Sequence, residues 1–327
     1  MKRLAIGLFI FLAACQGLGA EYSVLGHYTE TDDSVRIYYE TQGEGTPIVM
    51  IAGGPGGNPS FFKATHKLWL AYGRLVYVHN RGRGRSEKLD SIPGAYSLRN
   101  DIRDIEAVRK DLGVEKLIVY GHSYGGMVAL LYAATYSENC LAVITTGTLS
   151  GANAWQEHNI DGVKYYLSRH YPEYWEKIVR LHEEGRVTSE ETYDSVWPKT
   201  VEMYYFDPRK DALMKEYRRA ISNSIEDGFN YRVYICMVGN DPEWIVSGTL
   251  AGIDLLPLLG NIDFPALIIG GRFDRICPPV VQKEIADSIV NSQLVIFEES
   301  GHRPFIEEPV KFFEVTGEFL RGITTAK

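Results

Sequence analysis

One short stretch constrains this chain more than any other: a Gly-x-Ser-x-Gly pattern in which Gly121 and Gly125 flank Ser123. The apolar run before it, residues 116–120, is typical of a buried strand, and residues 127–134 after it favour a helix. A serine placed between a strand and a helix needs so tight a turn that only small residues fit two positions to either side. The free N–H groups at a helix N-terminus also favour a developing negative charge. The pattern therefore predicts that Ser123 is a nucleophile.

Two further side chains follow predicted strands in the order that a serine nucleophile requires. Asp274 comes directly after one strand, and His302 follows the last strand in a loop with a glycine. An aspartate beyond a strand end can orient an imidazole that takes the serine proton. The order Ser123, Asp274, His302 fits only one of the three familiar triad orders. We expect these residues to form a catalytic triad. His122 is expected to pack under the turn, and Asp263 is the weaker candidate for the acid because it precedes its strand.

A glycine-rich segment, residues 52–57, follows the predicted strand of residues 47–51. Glycine lets a backbone approach a ligand closely, so this loop can aim an N–H group at an oxyanion; the alternative is a flexible turn. We expect the N–H groups of Gly54 and Tyr124 to form the oxyanion hole. The arginine- and glycine-rich residues 80–86 lack the spacing of a phosphate-binding loop, and they predict a structural turn near the entrance of the site.

Strand and helix patterns alternate over residues 21–147 and return in residues 248–327. The intervening residues 148–247 are rich in charged and aromatic side chains and contain helical stretches. This order predicts an α/β fold with a mostly parallel central sheet flanked by helices, and an inserted, mainly helical cap. Aromatic residues of the cap are candidates for lining a pocket, although packing is the commoner role of each: Tyr165, Tyr166, Tyr171, Tyr174, Trp175, Trp197, Tyr204 and Tyr205.

Residues 1–20 are expected to be an export signal rather than part of the fold. After a basic start, residues 4–14 form an apolar stretch that is too short to span a bilayer. Residues 12–15 are similar to a bacterial lipobox, in which Cys15 becomes the lipid-modified first residue of the mature chain. The alternative is ordinary cleavage after Ala20. We expect an exported protein, periplasmic or membrane-anchored through a lipidated Cys15, with secretion as the second choice.

Charge and cysteine content narrow the partners further. The formal net charge of -8 gives no basic footprint for nucleic acid. Cys140, Cys236 and Cys277 are an odd number without metal-ligand spacing, and their apolar surroundings predict buried small hydrophobes. A disulfide between two of them stays open. No metal or organic cofactor is implied, and the pattern does not predict an oligomeric state.

Together these motifs resemble the proline iminopeptidase family of α/β-hydrolases, over the whole mature chain. The most specific element is Gly-Gly-Pro-Gly at residues 53–56; Gly-Arg-Phe-Asp at 271–274 and Gly-His at 301–302 also match. The resemblance implies the α/β-hydrolase fold and a serine-type aminopeptidase. Such an enzyme releases N-terminal proline or another small or apolar residue from a short peptide or amino-acid derivative through an acyl-enzyme.

The resemblance also implies an anchor for the free amino group of the substrate. Relatives carry a Gly-Pro-x-Glu-Phe-like segment, whose glutamate falls on Glu243. The chain departs from the family in three places: Ala52 replaces a histidine, His79-Asn80 replaces Asp-Gln, and Arg275 replaces a second amine-binding glutamate. A cation at Arg275 repels an ammonium and favours a carboxylate. The alternative function is therefore an esterase, lactonase or amino-acid amidase with the same triad, while a complete triad disfavours a non-catalytic binding protein.

Overall fold

The computed structural model describes residues 22–89, 94–185, 195–196, 198–221, 228–239 and 244–325, with the side chains of residues 217–221 excepted. The parts singled out from the sequence that lie outside these ranges are Trp197, Glu243 and the predicted signal of residues 1–20, which includes Cys15 and Ala20. In the described ranges, no helix combines the length and the apolar character that crossing a membrane requires.

A sheet of eight strands forms the centre of the described chain, in the order β1-β2-β4-β3-β5-β6-β7-β8. The first two pairings, β1 with β2 and β2 with β4, are antiparallel, and the other five are parallel. The predicted mostly parallel sheet is confirmed. The strands are β1 (Leu25–Glu30), β2 (Arg36–Gln42), β3 (Pro47–Ile51), β4 (Arg74–His79), β5 (Leu117–His122), β6 (Cys140–Thr146), β7 (Ala266–Gly271) and β8 (Ser292–Phe297).

The central strands read as continuous apolar runs because both faces of the sheet are covered. Every residue of β3, β5 and β7 is buried, as expected for parallel strands with helices on either side. The longer helices are α1 (Leu98–Asp111), α2 (Tyr124–Thr135), α3 (Gly162–His170), α4 (Pro172–Glu183), α5 (Asp211–Ile221), α6 (Tyr231–Val238), α7 (Pro279–Asp287) and α8 (Pro309–Thr324).

The sequence of residues 59–72 favours one continuous helix. This prediction is wrong in detail, because the chain forms three short helical segments there: Pro59–Phe61, Phe62–Thr65 and Lys67–Ala71. The break falls at His66, whose φ of -116° and ψ of 17° are not helical. His66 is fully buried and hydrogen-bonds Tyr120 of β5 at 3.2 Å. Packing of this ring in the core therefore sets a non-helical backbone conformation at His66, although the sequence pattern is helical.

Helices α3 to α6 fall between β6 and β7 in the chain, where the sequence predicts a helical cap of residues 148–247; those boundaries stay a prediction. The aromatic side chains in this region differ in their surroundings. Tyr165 is 68% exposed, whereas Tyr166 and Tyr205 are buried. Tyr204 reaches the ring of His302, with the two ring centroids 5.4 Å apart. Of these four tyrosines, Tyr204 is therefore the one in ring contact with a predicted catalytic residue.

The three cysteines of the described chain are all free thiols, which contradicts a disulfide between two of them. Cys140 and Cys277 are buried as predicted. Cys236 is exposed, so the prediction of a buried residue is wrong there. The reason is helical spacing: Val233 and Met237 are one turn apart and point into the core from α6, and Cys236 falls off that face.

Candidate active site

Ser123 occupies a sharp turn between β5 and α2. Its backbone has φ 57° and ψ -125°, a positive φ that few non-glycine residues adopt and that marks strain at a functional turn. A Cβ at Gly121 would collide with the carbonyl of Gly125, and one at Gly125 would collide with the carbonyl of Ile51. The Ser123 N–H donates to the carbonyl of Thr146 at 2.9 Å. The glycines thus let the turn close, and β6 holds the strained serine in place.

The structure brings His302 and Asp274 together at the ends of β8 and β7. His302 Nδ1 lies 2.8 Å from Asp274 Oδ2, and both side chains are buried. The other carboxylate oxygen, Oδ1, accepts the N–H groups of Ile276 at 2.9 Å and Cys277 at 2.8 Å. Asp274 is therefore fixed by its own loop and fixes the imidazole in turn. Asp263, the weaker candidate, is exposed and precedes β7 at the opposite end of that strand.

Cys277 also belongs to this cluster, although the sequence pattern did not single it out for the site. Burial, followed by the charge of Asp274, raises the pKa of its thiol well above the ordinary value, and the nearby Ser123 side chain opposes this rise. Ligand atoms of Asp274, Cys277 and His302 lie within 4.8 Å of one another. The sequence feature that could have identified Cys277 is its place in the turn three residues after Asp274, whose carboxylate accepts the Cys277 N–H. Cys277 therefore lies beside both Asp274 and Ser123.

Among the described residues, the side chains of Asp274, Cys277 and His302 form the one group whose geometry matches a metal-binding cluster. Asp274 is already engaged by His302 and by two backbone N–H groups. The raised pKa of the Cys277 thiol keeps it protonated, whereas a metal binds the thiolate. The arrangement therefore fits acid–base chemistry at Ser123 better than metal coordination.

His122 lies under the turn, as the sequence predicts. It is buried, its Nδ1 is 3.1 Å from the carbonyl of Thr146, and its ring centroid is 4.7 Å from that of His302. Burial first, and then the neighbouring charge of His302, holds the pKa of His122 well below its ordinary value. His122 is therefore neutral at working pH and leaves His302 as the histidine placed to accept a proton.

The two predicted oxyanion donors flank Ser123 on different segments. Gly54 lies after β3 with φ 65°, and Tyr124 is the first residue of α2. The loop is pressed against the nucleophile, because a Cβ at Gly53 would lie 2.8 Å from the Cβ of Ser123. Gly53, Gly54 and Ser123 are partly exposed within otherwise buried surroundings. This geometry leaves the reacting atoms open to a substrate.

The arginine- and glycine-rich turn after β4 directs its first two arginines inward. Arg81 pairs with Asp104 at 2.7 Å and with Asp33 at 2.8 Å. Arg83 pairs with Asp101 at 2.6 Å, and both guanidinium groups are buried. These cations are neutralised inside the protein, which agrees with a structural turn rather than a phosphate site.

The loop that carries His302 is anchored from two sides. The His302 N–H donates to the carbonyl of Tyr204 at 2.8 Å. Glu307 accepts the N–H groups of Phe206, Asp207 and Gly301, at 2.8, 2.9 and 2.6 Å. Burial raises the pKa of Glu307, although these three bonds oppose the rise. The segment before α5 therefore helps to hold the histidine loop.

Comparisons with known proteins agree with this fold. Residues 46–191 match the model of the alpha/beta hydrolase fold family. A proline iminopeptidase of Clostridium botulinum is 28% identical over 301 residues, which are 90% of this chain and 96% of that protein. The resemblance to the proline iminopeptidases is confirmed.

Solved structures give the same fold. A proline iminopeptidase of Mycobacterium smegmatis has a TM-score of 0.70 at 20% identity, over 92% of this chain and 99% of its own. An esterase of Exiguobacterium antarcticum has a TM-score of 0.66 at 23% identity, over 91% of this chain and 100% of its own. This chain is therefore a hydrolytic enzyme with the α/β-hydrolase fold, and its sequence is similar to those of proline iminopeptidases.

Proposed function

We propose that the protein is a serine aminopeptidase that releases N-terminal proline, or another small or apolar residue, from short peptides. The observation that carries the chemistry is the His302–Asp274 hydrogen bond of 2.8 Å next to the strained Ser123 turn. The peptidase assignment rests on the similarity to proline iminopeptidases over 90% of the chain.

In the proposed mechanism, Ser123 attacks the carbonyl carbon of the first residue while His302 takes the hydroxyl proton. Asp274 holds the imidazole and stabilises its charged form. The N–H groups of Gly54 and Tyr124 stabilise the oxyanion, and loss of one such donor costs roughly 3–4 kcal/mol in related systems. His302 protonates the departing amine. It then activates water, which releases the acyl group from Ser123.

An aminopeptidase also has to recognise a free ammonium, and we assign this role to Glu243. A carboxylate that faces a buried ammonium forms a charge-assisted hydrogen bond, which a substrate with a blocked amine cannot make. Glu243 lies outside the described residues, but the chain directly after it is held. Gln156 donates to the carbonyl of Trp244 at 3.1 Å and accepts the N–H of Val246 at 2.9 Å.

The test uses three matched sets of chromogenic substrates: proline and alanine arylamides with free amines, their N-acetylated forms, and simple acyl esters. We expect cleavage of the free-amine set, fastest for proline, and its loss in Ser123→Ala. Glu243→Gln is expected to lose arylamide cleavage while keeping its weaker ester cleavage. Normal turnover in Ser123→Ala contradicts the serine mechanism, and equal rates on free and acetylated amines contradict the aminopeptidase.

A second candidate is an esterase, lactonase or amino-acid amidase that uses the same three residues. Arg275 favours it, because this exposed cation directly follows Asp274 at the position where related aminopeptidases carry an amine-binding glutamate. Arg275→Glu separates the two functions. For an aminopeptidase we expect this change to lower KM for the free-amine substrates. An esterase selective for carboxylate-bearing substrates is expected to lose its activity on those esters.

We further propose that the enzyme acts outside the cytoplasm, as a lipoprotein anchored through Cys15. The support is the apolar stretch of residues 4–14, which ends in the lipobox-like residues 12–15. Mass spectrometry of the mature N-terminus measures this directly. A diacylated Cys15 at the first position supports the anchor, and an unmodified chain that begins after Ala20 supports simple secretion instead.

A further inference from the structure

The two oxyanion donors of the proposed mechanism belong to segments that are far apart in the chain, the loop after β3 and the start of α2. Donors of this kind act only when they are held within a few tenths of an ångström of the position that the oxyanion takes. Gly53 sets how closely the loop approaches Ser123. A separate set of contacts, below the loop, joins the two segments.

Arg83 supports the oxyanion loop from beneath. Its Nε donates to the carbonyl of Pro55, the residue after Gly54, at 2.5 Å. Its Nη1 donates to Asp101 Oδ1 at 2.6 Å. Arg83 is 2% exposed and Asp101 is fully buried. A planar guanidinium can make these two bonds at once in a fixed geometry, whereas the ammonium of a lysine has no such fork.

Asp101 continues the chain of contacts to the second donor. Its other oxygen, Oδ2, accepts the hydroxyl of Tyr124 at 2.6 Å. Burial raises the pKa of that phenol well above its ordinary value, so the hydroxyl keeps the proton that it donates. Met237 of α6 touches both ends, with its sulfur 3.4 Å from Arg83 Nη2 and 3.6 Å from the Tyr124 hydroxyl. A single relay therefore runs from Pro55 through Arg83 and Asp101 to Tyr124.

We propose that the buried Arg83–Asp101 pair is a positioning pair, which sets the separation of the Gly54 and Tyr124 N–H groups. Stability alone does not account for it, because a buried ion pair is commonly replaced by apolar residues without loss of stability. The neighbouring Arg81–Asp104 pair provides the contrast, since it is buried in the same turn but has no hydrogen bond to Pro55 or Tyr124 among the described contacts. This proposal rests on the proposed serine mechanism.

The test compares Arg83→Met/Asp101→Asn with the parent enzyme. This double variant leaves no unpaired charge, and it keeps an amide oxygen for the Tyr124 hydroxyl while the bond to Pro55 is lost. We expect kcat to fall roughly 10–100-fold on both proline arylamide and p-nitrophenyl acetate, with KM changed less than threefold, because only transition-state binding is affected. The rate of covalent labelling by a fluorophosphonate is expected to fall by a similar factor.

The matched control is Asp104→Asn, which weakens the neighbouring ion pair. It is expected to lower the unfolding midpoint and to leave kcat within twofold of the parent. If the double variant does not fold, Arg83→Lys is tested instead. A smaller loss of kcat is expected, because lysine keeps the charge but lacks the fixed pair of donors of the guanidinium. A folded variant with kcat within threefold of the parent, or with a loss confined to KM, overturns the proposal.

Ser123→Ala is measured in the same assays and separates a failure of the serine mechanism from a failure of the positioning role. If Ser123→Ala keeps normal turnover, the serine mechanism itself is wrong. If Ser123→Ala is inactive while the Arg83 variants are unaffected, the mechanism stands and only the positioning role is overturned.

Discussion

Gly53→Ala adds one methyl group at the place where the oxyanion loop meets the nucleophile. The φ of Gly53 is not in the left-handed region, so alanine fits its backbone without the strain that such a conformation imposes. The added Cβ would lie 2.8 Å from the Cβ of Ser123 and 3.0 Å from the carbonyl oxygen of His122. The added methyl group therefore pushes the loop and the Ser123 turn apart without any change of charge.

The size of the effect follows from the displacement. Ordinary contacts of a Cβ begin at 3.4 Å, so the loop and Ser123 have to separate by 3.4 − 2.8 = 0.6 Å. A misplacement of about 1 Å can cost about 10²-fold in rate, and we therefore expect kcat to fall roughly 10–100-fold. Overpacking of this kind also destabilises a fold by about 1–3 kcal/mol.

The assay is steady-state hydrolysis of p-nitrophenyl acetate together with urea unfolding of the same preparations. Gly322→Ala is the matched control. Gly322 lies near the end of α8 with nothing within 4 Å of an added Cβ, so alanine there is expected to stabilise the protein by about 0.5–1 kcal/mol at unchanged kcat. A folded Gly53→Ala enzyme with kcat within twofold of the parent refutes the reasoning, because the loop then does not hold a donor against Ser123.

Three further expectations come from the same contacts. Asp274→Asn is expected to lower kcat about 10⁴-fold, since His302 loses the carboxylate that fixes its tautomer; a loss below tenfold in ester hydrolysis argues against the triad. Burial keeps the pKa of His122 well below its ordinary value, so the acid limb of log kcat/KM is expected to have a slope of one; a slope of two means that His122 titrates too. Thr316→Val leaves the buried Trp69 indole N–H, now 2.9 Å from the threonine hydroxyl, without that acceptor. It is expected to cost about 1–3 kcal/mol in urea unfolding, and an unchanged midpoint contradicts this.

Most of the sheet was predictable because its signal is local. The run Pro47–Ile51 is apolar at every position, which is typical of a strand buried on both faces, and its observed bounds match the predicted ones. The turn at Ser123 was predictable for a similar reason. Its glycines are needed within two residues of the serine, so the whole requirement is written in one short pattern.

The contacts that support the site were not predictable, because they join residues that are distant in sequence. His66 breaks a helical pattern in order to reach Tyr120, 54 residues away. Cys277 meets Ser123 only once β5 and β7 are placed in one sheet. In both cases the role of a side chain depends on a partner on another element, and the spacing of residues along the chain does not predict that partner.

Arg83 shows what this difference means for the function. From the sequence it is one of three arginines in a polar turn, and its neighbours give no reason to separate it from Arg85. In the structure it is buried while Arg85 is exposed, and it bonds the loop that carries one predicted oxyanion donor. A chain with Ser123 and its glycines intact but without this support would give the same prediction from its motifs and still turn over slowly. The motifs therefore identify the atoms that react, whereas the rate depends on buried pairs that only the fold reveals.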